Sequence, residues 1–509
     1  MPELSRPALD QERPMNVASP TVAPRERAVI LILLIATFVV ILNETIMNVA
    51  LPRLMTDLRI TASTAQWLST AFMLTMAVVI PVTGFLLQRL STRTVFLTAM
   101  TLFSVGTLLA AVSPGFVPLL LARIVQACGT AIMLPLLMTT VLTLVPERGR
   151  GAVMGQISIV ISVAPAIGPT ISGLILQALS WRFMFLFVLP IALGALAYGA
   201  RMLGNVGTPR RLTLDLVSVP LSALGFGGLV YALSRLGEAP GGLSNPTVSG
   251  PLLLGSASLV AFLWRQVLLG RQGTPLLDLR AFRFPMFTLG VGLMVIAMMA
   301  LFGGAILLPL YLQNLRGLNT LQTGLLLLPG GLLMGLLAPP IGRWYDRVGP
   351  RPLVVPGTLL MTLVLFALGR IDTATPIWTL LALHLALSGG LALLFTPVFT
   401  SALGPLPPQL HSHGSAILST LQQVAGAAGT ALLVTLMAGR AGSLMTQGVA
   451  PLPAQVEGLH LAFTVSGAIA TLAVGLALLL RRAPQPALDG NPSLAEPAER
   501  PALVTGGHP

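Results

Sequence analysis

Apolar residues gather along this chain into runs of about 20, separated by short breaks that carry arginine, proline and glycine. As a helix rising about 1.5 Å per residue, such a run matches the hydrocarbon thickness of a bilayer. Setting run against break predicts fourteen spans, near 28–50, 65–87, 93–112, 115–143, 152–178, 182–203, 213–234, 250–268, 286–312, 321–342, 351–370, 375–399, 412–438 and 459–481. The pattern is that of an all-α polytopic membrane protein.

Two of the breaks match each other. GFLLQRLSTR, Gly84 to Arg93, follows the second run, and GRWYDRVGPR, Gly342 to Arg351, follows the tenth; both read Gly-x-x-x-(Gln/Asp)-Arg-x-x-x-Arg. Their placement implies two six-helix bundles with spans seven and eight inserted between them. The expected units are an N-terminal segment at 1–27, a first bundle at 28–203, inserted helices with linkers at 204–284, a second bundle at 285–481 and a tail at 482–509. The tail is rich in proline, alanine and glycine and is expected to be disordered. In these breaks Gly84 and Gly342 permit close helix approach. Asp346 is expected to cap the following helix, with Arg347 and Arg351, like Arg89 and Arg93 in the first copy, as neighbouring cations. A latch between helices and an ordinary topogenic loop both fit, and the matched copies favour the latch.

Composition narrows the function classes. With 54% hydrophobic and only 9% charged residues in 509, a soluble domain is excluded. The net charge of +13 does not indicate nucleic acid, because the 29 basic residues are all arginine and stand in short clusters between the runs. Only Arg53, Arg59, Arg182, Arg235, Arg316, Arg370 and Arg440 fall on one set of alternate breaks. Arg123 apart, the rest fall on the other set together with both termini, which the positive-inside rule places in the cytoplasm. Residues 1–27 carry no small-residue cleavage site, so the first run is expected to remain a span. One cysteine, Cys128, allows no intrachain disulfide, and no metal site is indicated. Nothing resembles a Ser/His/Asp, metal or nucleotide-phosphate constellation, so the chain is not expected to be an enzyme.

Two charges stand inside the runs. Glu44 lies in ILNETIMNVALP and Arg123 in LARIVQACGTAIMLP. A charge at mid-bilayer costs roughly 2.5–3.5 kcal/mol on insertion scales, so each needs a partner, a cavity or a protonation cycle. At about 1.5 Å per residue Glu44 sits some 24 Å from the start of its span and Arg123 some 12 Å from the start of its own, at the opposite face. Both fall in the outer half of the bilayer, where a direct or water-bridged contact is open to them. Moving the two relative to each other would switch the proton affinity of the carboxyl; a static ion pair that only fixes packing is the plainer alternative. In the fifth run, SVAPAIGPTISG sets Ala164, Gly168 and Ser172 four residues apart beside Pro165, Pro169 and Gly173. That face is nearly bare, which suits close helix contact, and its prolines remove backbone hydrogen bonds.

Taken together, these residues resemble the major facilitator superfamily, and within it the fourteen-span drug:proton antiporters of the EmrB/QacA type, especially the lincomycin-resistance-like branch. The resemblance covers about residues 28–481. It rests on LNETIMNVALP (Leu42 to Pro52), the two breaks at 84–93 and 342–351, RIVQACG (Arg123 to Gly129), GPTISG (Gly168 to Gly173) and LPLYLQNLRGL (Leu308 to Leu318). It implies the major facilitator fold with alternating access, driven by a proton gradient without a cofactor. It also implies an antiporter motif at Gly168, Pro169 and Gly173, and proton coupling at Arg123 with Gln126 and Gly129. The chain departs from the family where Asn43 precedes Glu44, which moves the usual carboxyl one residue, or about 100°, around the helix. Gln88 and Ser91 also replace the first motif's aspartate and glycine, and Ala127 and Ser172 replace glycines.

No second buried acid is expected, since Asp215 begins span seven and Asp346 is read as a loop residue. A small lipophilic or monocationic drug therefore fits better than a multiply charged one. Candidate contacts are Asn43, Asn48, Gln66, Met73, Gln126, Tyr311, Gln313, His384 and Gln422, each of which packing or interfacial anchoring would also explain. The resulting expectation is a monomeric exporter of amphipathic drugs in the bacterial cytoplasmic (inner) membrane, with drug-like substrates, protons and membrane lipids as partners and no nucleic acid. A dedicated exporter of one endogenous metabolite or lipid, and a non-transporting sensor or scaffold on the same fold, remain as alternatives.

Overall fold

The computed structural model describes residues 24–481 except 147–148, 206–213, 237–238, 240 and 273–274. The tail at 482–509, and the N-terminal segment as far as residue 23, lie outside the described residues. Among the described residues fourteen long helices follow one another. They are α1 (Pro24–Leu58), α2 (Ala62–Arg89), α3 (Thr92–Ala111), α4 (Phe116–Leu144), α5 (Arg150–Ala178), α6 (Arg182–Met202), α7 (Ser218–Leu236), α8 (Pro246–Gln272), α9 (Pro285–Leu310), α10 (Thr320–Val348), α11 (Arg351–Leu368), α12 (Ile377–Leu403), α13 (His411–Thr446) and α14 (Pro451–Leu478). No strand occurs among the described residues, and all 14 helices are long and apolar enough to cross a membrane.

Several helices outlast the apolar runs that predicted them. α10 continues to Val348 and α14 begins at Pro451, because a helix persists until its backbone ladder is broken and not until its hydrophobicity ends. Asp346 is therefore in the last turn of α10 and not in a loop. The break itself is Gly349, whose φ of +81° lets the chain turn into α11. Helix starts carry their own polar caps: Ser91 accepts from the Thr94 amide at 3.2 Å, and Asn319 with Gln322 forms a capping box on α10. Ser91, a departure from the family glycine, thus has a local task.

The first and last six helices pack in the same order. α1 lies on α5 as α9 lies on α13; α3 lies on α4 and α6 as α11 lies on α12 and α14; α2 lies on α4 as α10 lies on α12. The two bundles meet chiefly along α5 and α10, and along α2 and α13. The hairpin of α7 and α8 sets α7 against both α2 and α13, across that second seam. Its base is pinned by Asp215, which accepts from Arg265 Nη2 at 2.7 Å and from the Ser218 amide at 3.1 Å. The hydrogen bond from Arg265 holds the Asp215 carboxyl below the usual carboxylate range. After α8 the chain runs back with the Leu276 and Leu277 amides donating to Gln266 Oε1 at 2.7 and 3.2 Å. Asp278 beside them is only 2% exposed, a buried acid that the sequence reading did not expect, although it lies outside the spans. Burial opposes its ionisation, but hydrogen bonds from Arg280 outweigh that and hold the carboxyl below its ordinary range.

The seam between α5 and α10 is graded. At the arginine-rich end a Cβ on Gly342 would collide with the Gly151 carbonyl, and further along one on Gly331 or Gly335 would collide with Ala166 or Val163. At the other end Gly173 and Gly324 have nothing nearer than 3.9 Å, from Leu321 and Pro169. Small residues thus bring the backbones together at one end and leave ordinary spacing at the other. We expect Gly342→Ala to destabilise the protein by about 1–3 kcal/mol, the usual range for overpacking, while Gly173→Ala, inside a helix with room for the methyl, does not destabilise it and raises stability by up to about 1 kcal/mol. Thermal unfolding in detergent checks this, and equal behaviour of the two variants would contradict the gradient.

Candidate functional site

Arg123 is brought to its place by the crossing of α3 and α4. A Cβ on Gly106 would fall 2.6 Å from the Gln126 amide nitrogen, and one on Gly129 would meet the Ala99 carbonyl, so bare glycines on both helices set the close approach. Gln126 then donates from Nε2 to Thr107 Oγ1 at 2.7 Å, leaving its Oε1 to accept from Arg123 Nη1 at 2.6 Å. Across the bundle, Arg123 Nη1 also donates to Asn43 Oδ1 on α1 at 3.1 Å. From α2 the Phe72 ring covers the guanidinium, 4.0 Å from Cζ to the ring centroid. Arg123, Asn43, Gln126 and Phe72 are each no more than 2% exposed, and Arg123 Nε has no partner.

The buried cation is therefore met by neutral amide oxygens and an aromatic face, and not by a carboxylate. Glu44 is half-buried within electrostatic reach of Arg123, yet the two make no ion pair. The static Glu44–Arg123 pair that the sequence also allowed is thus absent. The register explains it: three consecutive residues of α1 point about 100° apart. Asn43 faces α4, while Thr45 donates to the Leu42 carbonyl at 2.9 Å and reaches the Ala164 carbonyl of α5 at 3.5 Å. Glu44 takes the direction between them.

The bare face of α5 receives this same stretch of α1. A Cβ on Gly168 would collide with Thr45 Oγ1, Ala164 and Ser172 are fully buried, and α5 stays helical through Pro165 and Pro169. The other predicted contacts are dispersed. Gln422 is 8% exposed with Nε2 unpartnered, beside Gln423, whose Nε2 lies 3.7 Å from Met76 Sδ across the seam between the bundles. Met73 is half-buried. His384 Nε2 is tied to the Leu327 carbonyl at 3.0 Å, and the Tyr311 hydroxyl donates to the Asp372 carbonyl at 2.5 Å, which makes both of them ties within the second bundle. Gln66 and Gln313 are exposed near helix ends, and the Asn48 side chain lies outside the described residues. Phe72 and Thr107 were missed: one is an ordinary apolar residue and the other an ordinary threonine in sequence, and only the helix crossings bring the ring to Arg123 and the hydroxyl to Gln126.

Comparison with known proteins agrees with this architecture. The Major Facilitator Superfamily profile matches residues 33–430. The chain belongs to the major facilitator superfamily. It is 42% identical over 455 residues to the Lincomycin resistance protein LmrB of Listeria monocytogenes, covering 88% of this chain and 96% of that one. It is also 42% identical over 406 residues to LmrB of Bacillus subtilis, covering 80% and 84%. Among solved structures, the human organic anion transporter MFSD10 superposes with a TM-score of 0.63 at 17% identity, over 89% of this chain and 100% of that one, a likeness of fold alone. The protein is a multi-pass bacterial membrane protein of this superfamily.

The two repeated motifs of this superfamily member close its arginine-rich end, and they do so differently. Asp346 accepts from the Gly151 and Ala152 amides at 3.0 and 3.1 Å, so it caps the start of α5 in the other bundle and not, as the sequence suggested, the start of α11. A helix whose first amides lack intrahelical partners is the better acceptor of an anion. In the first copy Gln88 instead donates to the Gln409 carbonyl and Ser412 Oγ, each at 3.0 Å, at the start of α13. Gly84 allows that approach, with His413 Nδ1 3.3 Å from where its Cβ would be. Arg93 donates to the Ala200 carbonyl at 2.6 Å within its own bundle, while Arg89, Arg347 and Arg351 are exposed. Arg150 to the Gly404 carbonyl, Thr139 to Ser415 and Thr396 to Ser158 complete the closure at the same end. Asp346→Ala is expected to weaken this closed end by about 0.5–2 kcal/mol, the worth of a helix cap. Spin labels on the first turns of α3 and α11 should report a larger population of long distances; an unchanged distribution would remove Asp346 as a latch.

Proposed function

We propose that this protein is a proton-coupled antiporter that exports small amphipathic drugs by alternating access across the bacterial cytoplasmic membrane, with Glu44 carrying the proton and Arg123 modulating it. The observation that carries the reading is a buried guanidinium held on neutral groups beside an unpaired carboxyl. A static structural charge would be expected to sit in an ion pair. Here the carboxyl is free to exchange its proton, and a cation is within reach to alter its affinity for one. Kinship to lincomycin resistance proteins supports a drug as cargo. The arginine distribution supports cytoplasmic termini, and closure at that end supports a state open to the outside. Gln422, with an unpartnered buried amide next to the residue that meets Met76 across the seam, is the first choice for a drug contact; Asn43 and Gln126 bear on the drug only through Arg123. Transport without catalysis is the whole of the assigned chemistry, and a monomer supplies every residue named.

In proteoliposomes holding an imposed pH gradient, lincomycin should consume the gradient and Glu44→Gln should abolish that response. Arg123→Ala should keep some transport while changing its pH profile. Full pH-driven efflux by Glu44→Gln would end the proposal for the carboxyl, and a normal profile in Arg123→Ala would end it for the arginine.

A further inference from the structure

Phe72 is not one of the polar residues on which proton coupling is usually built, yet its ring covers the Arg123 guanidinium from α2. It belongs to a small apolar cluster apart from the main core, made of Phe72, Met76 and Ile80 with Ala127 and Ala131. On each helix the members recur every fourth residue, so α2 presents Phe72, Met76 and Ile80 to the α4 row of Arg123, Ala127 and Ala131. The two alanines let the row approach closely, and that register lays the ring on the guanidinium.

The ring, Asn43 and Gln126 together decide where the guanidinium rests. Its alternative is one residue away on α1, since Glu44 follows Asn43 and carries the full charge that Asn43 lacks. A charge-assisted bond to a carboxylate is stronger than one to an amide oxygen, so a free Arg123 would move to Glu44. We propose that Phe72 is a positioning residue for proton coupling, whose ring keeps the Arg123 guanidinium on Asn43 and Gln126 and off Glu44. The inference rests on the reading of Glu44 as the proton carrier. The same stripe reaches the seam between the bundles, where Met76 meets Gln423 of α13. A ligand wedged between α2 and α13 would displace the stripe, release the guanidinium to Glu44 and drive the carboxyl proton into water on the accessible side.

Glu44 is the titratable group that acts on Arg123 in this neighbourhood. α2 and α3 bring Phe72 and Thr107, and keep Arg89 and Arg93 at their arginine-rich ends. α5 and α13 hold Arg150, His411 and His413 at that same end, and α6 has Arg182 and Arg201 in its terminal turns. Cys128, on α4 itself, is partly buried.

An infrared titration of the purified protein, free of any drug, tests the inference. The protonated carboxyl band of Glu44 is assigned by its loss in Glu44→Gln. In Phe72→Leu, which keeps the site apolar and removes the ring, its half-titration point is expected to move to lower pH by roughly one pH unit, the size expected for a carboxyl gaining an arginine partner. Phe72→Tyr, which keeps the ring, should titrate as the parent does, and Phe72→Met serves as the aliphatic variant if the leucine does not fold. An unchanged half-titration point in the aliphatic variant, or equal shifts in the leucine and tyrosine variants, overturns the role of Phe72 while leaving Glu44 as carrier. No band lost in Glu44→Gln overturns both.

Discussion

The constraint on which the first bundle is organised is the need to satisfy one guanidinium away from water. Arg123 draws an oxygen from α1, another from its own helix and a ring from α2, and Gln126 ties the set to α3 through Thr107. Four helices are thus held in register by one cation. Because both oxygens are neutral, the positive charge is located but not cancelled, and its field extends to the adjacent carboxyl. A salt bridge would have stabilised the same crossing and left no charge to use. The glycines at 106 and 129 belong to the same requirement, since without that close crossing the amide of Gln126 would not reach both Thr107 and Arg123.

The second organising fact is a repeat that is matched in packing and unmatched in chemistry. Helix contacts in the two bundles follow the same order, and each repeated motif delivers a polar side chain to the start of a helix in the opposite bundle. Asp346 arrives as an acceptor for backbone amides with the helix dipole in its favour, whereas Gln88 arrives as a donor to a carbonyl and a hydroxyl. Closure of the arginine-rich end therefore leans on the second motif. The α7–α8 hairpin adds to the weaker side, since α7 packs across the seam of α2 and α13 where Gln88 makes its contacts.

Most of the fold was legible because hydrophobic length and arginine placement are local signals. Helix ends were less so: α10 extends beyond its apolar run to the glycine that stops it, which moved Asp346 from a loop to a helix and redirected its cap from α11 to α5. Of the site, Glu44 and Arg123 were visible as charges in hydrocarbon, and Gln126 and Gly129 as parts of a motif. Their pairing was not visible, because a 100° step on α1 decides whether the amide or the carboxyl faces α4. Phe72 carries no sequence signal, since an apolar residue every fourth position is what any packed helix shows. Tyr311 and His384 were plausible as polar groups, but their carbonyl partners place them in the fabric of the second bundle.

The shifted carboxyl makes physical sense once α5 is included. Asn43 and Thr45 bracket Glu44, one bound to Arg123 on α4 and the other seated over Gly168 on α5. Both flanking contacts fix the rotation of α1, so the direction of Glu44 is set by two helices without either one touching its carboxyl. Any rearrangement of α5 against α1 acts through Thr45 on the backbone next to Glu44, and any movement of α2 acts through Phe72 on the cation nearby. An aspartate at position 43 would be locked to the arginine and would give up that independence. Moving the acid by one residue separates the group that holds Arg123 from the group proposed to exchange the proton, so that on this proposal bundle closure and displacement of α2 both act on one carboxyl.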